Sequence, residues 1–195
     1  MKKILLIALL LVPFLGISQT TKPIDGFLGI KFGTGKAELI TRMKARGARF
    51  DPTNSNATLL SFTNVKLGSR QAAAFFVNMV DDKAYLAIFM FKPEDEPKTI
   101  EYYNALVHDI DDIYGPGRPT KVFKSPFQEG DGNEIEALEG GYADMHTDWK
   151  SDSKAIQAII KHNKQQELSV VLTYGDHDLA KIENDRDKAK EKSDY

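Results

Sequence analysis

Two groups of three apolar, alternating stretches constrain this chain most, because each group fits a small antiparallel sheet. The stretches are rich in β-branched and aromatic residues, which strands favour. They span residues 58–65, 70–80, 83–91, 142–150, 153–162 and 166–174. Short turn-forming segments separate the stretches within each group, as hairpins require. The sequence therefore predicts six strands in two three-stranded antiparallel units.

One amphipathic helix precedes each group of strands. The first is expected over Lys36 to Arg46, with Gly47 in the left-handed position that follows many helices. The second begins near Pro97 and carries an apolar stripe that extends from Ile100 through Ile113 to Tyr114. The order helix, three strands, helix, three strands predicts an α+β protein of two tandem helix-plus-antiparallel-sheet repeats. The two sheets would lie side by side or form one continuous sheet.

The chain begins with the pattern of a secretory signal peptide. Lys2 and Lys3 precede an apolar run from Ile4 to Gly16, and small residues suit cleavage after Ser18. As a helix this run spans about 20 Å, short of the roughly 30 Å hydrocarbon core of a membrane. We therefore expect a periplasmic or secreted protein with no stable membrane insertion after cleavage.

The leader, the repeats and a charged end divide the chain into four segments. They are the signal peptide at 1–18, the first α+β repeat at 19–92, the second at 93–175 and a charged C-terminal tail at 176–195. The second repeat contains an acidic, glycine-rich segment at 125–141, which we expect to be a long loop. The tail has few apolar residues, so a solvated helix or a disordered tail is expected.

Composition excludes several classes of function. The chain has no Cys, which excludes disulfides, thiolate nucleophiles and Cys-ligated zinc. Its net charge of −2 provides no basic stripe for nucleic acid. Neither a Gly-x-Ser-x-Gly elbow nor a His-Glu-x-x-His helix occurs. We therefore expect no enzyme, no cofactor and no nucleic-acid partner.

Alternation assigns each strand residue in the first unit to a face. Tight turns at Leu67-Gly68 and Asp81-Asp82 would place Phe75 opposite Ile88. The other face of this unit would then be aromatic, with members Phe76, Tyr85, Phe89 and Phe91. Such a patch is too apolar to leave in water, so the rest of the protein or a partner must cover it.

The second unit has one apolar face and one mixed face. The mixed face contains the candidate binding residues Tyr142, Asp144, His146, Gln157, Ile159 and Lys161. This blend of aromatic, charged and aliphatic groups is typical of recognition surfaces. We therefore predict a non-enzymatic module that binds an envelope or extracellular protein through this face and the acidic loop. The alternative is a periplasmic protein that binds a small ligand or glycan beside Tyr142, His146 and Gln157.

Two clusters contain side chains that bind metals in other proteins, and neither predicts a metal site. Asp144 and His146 could converge on a metal with Gln157, but a solvated strand face is the ordinary state of such residues. Residues 129–134 imitate the start of a calcium loop without the glycine that its sixth position requires.

The segment Gly29-Ile30-Lys31-Phe32-Gly33-Thr34 leads into a helix that contains Glu38-Leu39. This arrangement resembles small exported bacterial proteins of the β-lactamase-inhibitor-like type, in which such a turn precedes a helix laid on an antiparallel sheet. Two such units can occur there in tandem. The resemblance implies binding to another protein through an exposed sheet face or loops. Because that group often carries disulfides, which are impossible here, no contact residue carries over.

We predict cleavage between Ser18 and Gln19 on export, because the charged, apolar and small-residue regions occur in the required order. Mass analysis of the mature N-terminus should find Gln19 as the first residue. Full-length protein retained in the cytoplasm would contradict this prediction.

Overall fold

The computed structural model describes residues 22–163, 165 and 167–193. The signal-peptide prediction therefore lies outside the described residues. The strands are β1 (Gly26–Phe27), β2 (Ile30–Lys31), β3 (Arg49–Asp51), β4 (Leu59–Thr63), β5 (Lys66–Leu67), β6 (Arg70–Gln71), β7 (Ala74–Val80), β8 (Lys83–Phe91), β9 (Arg118–Phe123), β10 (Ala143–Ser151), β11 (Lys154–His162) and β12 (Leu168–Asp176). The helices are α1 (Lys36–Ala45), α2 (Thr99–Tyr114), α3 (Glu134–Glu139) and α4 (His177–Ser193).

One continuous antiparallel sheet of eight strands forms the centre of this α+β fold. Its strand order is β3-β4-β7-β8-β12-β11-β10-β9. Strands β8 and β12 pair at the middle, with Phe89 opposite Leu172. Two small hairpins, β1–β2 and β5–β6, lie outside this sheet. The prediction of an antiparallel α+β protein is confirmed, and the two predicted sheets are continuous.

A β-bulge shifts the register of the first half by one residue. Val80 pairs with Lys83 as the Asp81-Asp82 turn requires, yet Asn78 pairs with Leu86. Tyr85 is therefore the extra residue of β8, and the two strands continue one position out of the predicted register. The predicted turn at Leu67-Gly68 is also displaced, because Leu67 pairs with Arg70.

The predicted aromatic face is wrong as a result of this bulge. Phe75 lies opposite Phe89 instead of Ile88. Phe89 and Phe91 therefore turn to the same side as Phe75, where both are buried. Phe76 stays on the other side of the sheet and pairs with Ile88. Phe89 and Phe91 thus belong to the protein's own core.

We call the side that α1, α2 and α3 cover the helix face. Its strand residues are Leu60, Phe62, Phe75, Val77, Phe89, Phe91, Met145, Trp149, Ile156, Ala158, Ile160, Val170, Leu172 and Tyr174, and all of them are buried. Leu39 and Met43 from α1 and Leu106 and Ile110 from α2 pack on this side. Ile113 does not join them, because it is 47% exposed near the end of α2.

The segment 125–141 contains a short helix and is not a loop throughout. Helix α3 buries Ala137 and Leu138, and Leu138 joins the core. The N–H of Tyr142 then donates to the carbonyl of Ala137, which leads the chain directly into β10. These two buried residues hold the short helix α3 against the sheet. Two residues are too few to give a helical periodicity that sequence analysis could detect.

Helix α4 contacts β7, β8, β11 and β12 at the end of the sheet that holds the β7–β8 turn. Segment 33–34 and the end of α2 occupy the helix face at this end of the sheet. The N–H of Gly33 donates to the carbonyl of Ala84, and the indole N–H of Trp149 donates to the carbonyl of Gly115. Helix α4 therefore lies on the opposite side, with Arg186 donating to Asp81 at 2.7 Å. The charged tail is thus a helix that packs on the sheet.

We call this opposite side of the sheet the open face. Helices α1, α2 and α3 lie on the helix face, so α4, which contacts β7, β8, β11 and β12, is the described helix on this side. In the second half, His146 pairs with Ile159 on this face, whereas Thr147 pairs with Ala158 on the helix face. The predicted assignment of faces in the second unit is therefore confirmed.

We predict that Phe75→Ala lowers the free energy of unfolding by about 3–5 kcal/mol, because it opens a cavity in a close-packed core. The Phe75 ring lies 6.0 Å from that of Phe62 and 4.4 Å from that of Phe89, measured between centroids. Glu129→Ala should cost little, since Glu129 is exposed and bonded to Lys121. Chemical denaturation of both variants tests the difference. Equal losses would contradict the position of the core.

Candidate binding face

Four polar side chains form a connected row on the open face, and we call them the polar row. They are Asp144, His146 and Asp148 of β10, together with Gln157 of β11. Asp144 Oδ1 lies 2.5 Å from His146 Nδ1, and Asp148 Oδ2 lies 3.7 Å from His146 Nε2. The amide of Gln157 donates to Asp148 Oδ1 at 3.0 Å. Alternation along β10 brings these groups to one side, and the β10–β11 register adds the glutamine.

Both ring nitrogens of His146 face carboxylates. Nδ1 is hydrogen-bonded to Asp144, whereas Nε2 lies 3.7 Å from Asp148 Oδ2, beyond hydrogen-bond distance. The bond to Asp144 orients the imidazole, and the row presents carboxylate oxygens on both sides of the ring.

The remaining predicted site residues differ in how much surface they offer. Lys161 is exposed, and its strand position borders Ser169. Ile159 lies on the predicted face but is only 6% exposed, because His146 and Val171 flank it in the register. Ile159 therefore supports the face from below and contributes little contact area itself.

Tyr142 lies just before β10, apart from the polar row. Its ring is 45% exposed and packs on Phe127, with 5.4 Å between the ring centroids. The structure thus connects Tyr142 to the acidic segment 125–141 and not to His146. A 390 Å³ pocket nearby is lined by Asp144 and Lys161, among others, but not by Tyr142, His146 or Gln157. None of the three residues predicted for the small-ligand alternative lines this pocket.

An apolar stripe continues the polar row across the sheet and was missed by sequence analysis. Its members are Phe76, Ile88, Met90, Val171 and Ile159. The first four are half-buried. The bulge at Tyr85 turns Ile88 and Met90 to this side, so the sequence pattern alone assigned them to the core.

The acidic segment uses its carboxylates internally. Asp131 accepts hydrogen bonds from the N–H groups of Gln128 and Asn133, which lower its pKa. Glu134 accepts from the N–H of Gly130, and Glu129 pairs with Lys121 at 2.8 Å. These bonds explain the calcium-loop pattern as local loop structure. Within the described chain, no group of three or more His, Asp or Glu residues is arranged to hold a metal ion.

Comparison of the chain with family models, curated proteins and solved structures finds no match. The resemblance to the β-lactamase-inhibitor-like group therefore stays a prediction. Among the described helices, none is both long and apolar enough to cross a membrane.

We predict unequal losses of stability for substitutions at two neighbouring residues of β10. Thr147→Val removes the hydroxyl that lies 2.7 Å from Tyr103 Oη in the core, which should cost about 1–3 kcal/mol of unfolding free energy. His146→Ala removes only surface pairs and should cost about 1 kcal/mol or less. Urea denaturation measures both values. A larger loss for His146→Ala would mean that the open face is part of a core.

Proposed function

We propose that this protein is an exported, non-enzymatic binding module whose open face recognises another envelope or extracellular protein. The observation that carries the proposal is the polar row beside the half-buried apolar stripe, on the sheet face opposite α1, α2 and α3. Export follows from the leader pattern of residues 1–18.

The chemistry of this surface supports recognition of a protein. The apolar stripe provides apolar surface that is removed from water on binding. The adjacent polar row provides directional hydrogen bonds. Asp144 and Lys161 carry opposite charges on the two neighbouring strands β10 and β11. A partner with a small apolar patch flanked by polar groups complements this arrangement.

The dimensions of the face indicate how it binds. The five strands from β7 to β10 at about 4.8 Å spacing span about 19 Å, and residues 144–148 span about 13 Å. This flat area is on the order of 300 Å², below the roughly 800 Å² that each partner contributes to a standard interface. We therefore include the acidic segment 125–141 in the binding surface, since Phe127 and Tyr142 join it to the start of β10.

We also propose that the two halves are tandem repeats. Supporting this, α1-β3-β4-β7-β8 and α2-β9-β10-β11-β12 follow the same order, and both run from an edge strand to the sheet centre. Their insertions differ, since β5–β6 follows β4 and α3 precedes β10. Backbone superposition should overlay the five elements of each half about an axis between β8 and β12. A failure of β3 to overlay β9 would contradict the repeat.

We predict that the double variant Tyr142→Ala/His146→Ala folds like the wild type but loses partner capture. Both side chains point away from the core, since His146 belongs to the polar row and Tyr142 packs on Phe127 of the acidic segment. Affinity capture from the envelope fraction, quantified by mass spectrometry, should show one protein reduced about tenfold, as expected when a central contact is lost. The captured protein, once purified, should bind the wild-type chain directly in solution.

The matched control is Asn104→Ala/His108→Ala on the exposed side of α2. This control should capture the partner as the wild type does. Equal yields from a folded Tyr142→Ala/His146→Ala variant would reject the site. Enrichment of glycans instead of a protein would favour ligand binding over the proposed function.

A further inference from the structure

A cleft lies on the helix side of the sheet, between the end of α2 and the turns of β1–β2 and β5–β6. Its volume is 350 Å³, within the range of about 300–1,000 Å³ that small-molecule sites occupy. Leu28, Leu67, Leu106 and Ile110 are among its apolar walls. The open face is on the other side of the sheet, so this cleft is independent of the proposed protein-binding surface.

The hydroxyl of Tyr174 is a polar group in this cleft that lacks a protein partner. Tyr174 is 3% exposed and lines the cleft. Its hydroxyl makes no hydrogen bond with any residue that the structure describes, yet it is not among the sealed polar atoms without a partner. The hydroxyl therefore opens into the cleft. Buried polar groups normally have a hydrogen-bond partner, which here must come from outside the described chain.

Burial raises the pKa of Tyr174, and the nearby Tyr114 raises it further. The hydroxyl therefore keeps its proton at neutral pH and can both donate and accept a hydrogen bond. A ligand with a polar atom at its buried end would satisfy it.

The rim of the cleft combines positive charge with exposed apolar surface. Arg46 and Lys22 line it and form no ion pair with a described residue, although the Lys22 ammonium lies 5.9 Å from the Tyr114 ring centroid. The one carboxylate among the lining residues, Asp109, is already paired with Arg70. Ile113, which the apolar stripe of α2 predicts to be buried, is 47% exposed here.

We propose that this cleft binds a small amphipathic carboxylate that carries a second polar atom at its far end. The carboxylate pairs with Arg46 at the exposed rim, and the apolar body lies against Leu106 and Ile110 beneath Ile113. The far polar atom hydrogen-bonds the Tyr174 hydroxyl at the buried end. The ligand thus supplies a partner for the cation, for the exposed apolar surface and for the hydroxyl of the cleft.

The volume limits the size of this ligand. A cleft of 350 Å³ holds about a dozen water-sized groups at about 30 Å³ each. A single aromatic ring with a short carboxylate chain fits this space, whereas a two-tailed lipid does not. The compound 3-(4-hydroxyphenyl)propanoate has the required charge, ring and distal hydroxyl.

Isothermal titration calorimetry with three probes tests the proposal on the purified chain. The probes are 3-(4-hydroxyphenyl)propanoate, its neutral primary amide, and 3-phenylpropanoate, which lacks the distal hydroxyl. The hydroxy acid should bind tightest, the amide about tenfold more weakly and the deoxy acid about fivefold more weakly, because each loses one polar contact.

Two variants assign these losses to residues. Arg46→Gln should bind the hydroxy acid and its amide equally, and Tyr174→Phe should bind the hydroxy acid and the deoxy acid equally. The matched control is Arg42→Gln on the same helix, because Arg42 is exposed, bonds Glu38 and does not line the cleft. This control should bind all three probes as the wild type does.

Several results would overturn the proposal. These are absence of binding by the folded wild type, equal binding of acid and amide, and an equal effect of Arg42→Gln and Arg46→Gln. If Tyr174→Phe does not fold, the comparison of hydroxy and deoxy acids on the wild type decides the role of the hydroxyl. Equal affinities in that comparison would reject it. Partner capture by the open face is unaffected by any of these outcomes.

Discussion

The pairing of β8 with β12 is the interaction on which the rest of this structure depends. It joins the two halves into one sheet, so neither half has an unpaired strand at the centre of the molecule. The core crosses this seam, with the Phe89 and Tyr174 rings 6.1 Å apart between centroids. Because the inner strand of each half is hydrogen-bonded to that of the other, we expect the two halves to unfold together.

The same seam gives the molecule two unlike surfaces. Its helix side is filled by rings and aliphatic side chains, and the small hairpins complete this layer next to α2. Its other side keeps the apolar stripe beside the polar row, and α4 packs on this side against β7, β8, β11 and β12. The sheet thus separates the part of the chain that supplies stability from the part that can contact a partner.

Parity explains which parts of the fold could be predicted from the sequence. Side chains alternate along a strand, so a register error of two residues leaves the faces unchanged, whereas an error of one exchanges them. The β10–β11 turn is displaced, since Ser151 pairs with Lys154. Each residue of β10 therefore has a partner two positions further along β11 than predicted, and His146 keeps its predicted face. Tyr85 adds a single residue to β8, and the assignments of Phe89 and Phe91 are exchanged with those of Ile88 and Met90.

Long-range contacts account for what the sequence did not reveal about the sites. The polar row was predictable, because its β10 members alternate along one strand. The apolar stripe depends on the bulge, and the cleft depends on how the two small hairpins meet α2. The very short strands β1, β2 and β3 leave no alternation long enough to detect, so the hairpin that carries Leu28 had no signal in the sequence.

The two edges of the sheet have a consequence for the behaviour of this protein at high concentration. An open sheet face with half-buried apolar residues invites stacking of copies, and free edge strands would let such stacks grow into fibres. Strand β3 is only three residues long, and β9 carries Arg118, Pro119 and Lys121. Charge, a missing N–H and short length therefore discourage strand addition at both ends. The chain can therefore keep half-buried apolar residues on its open face while the edge strands disfavour growth into fibres.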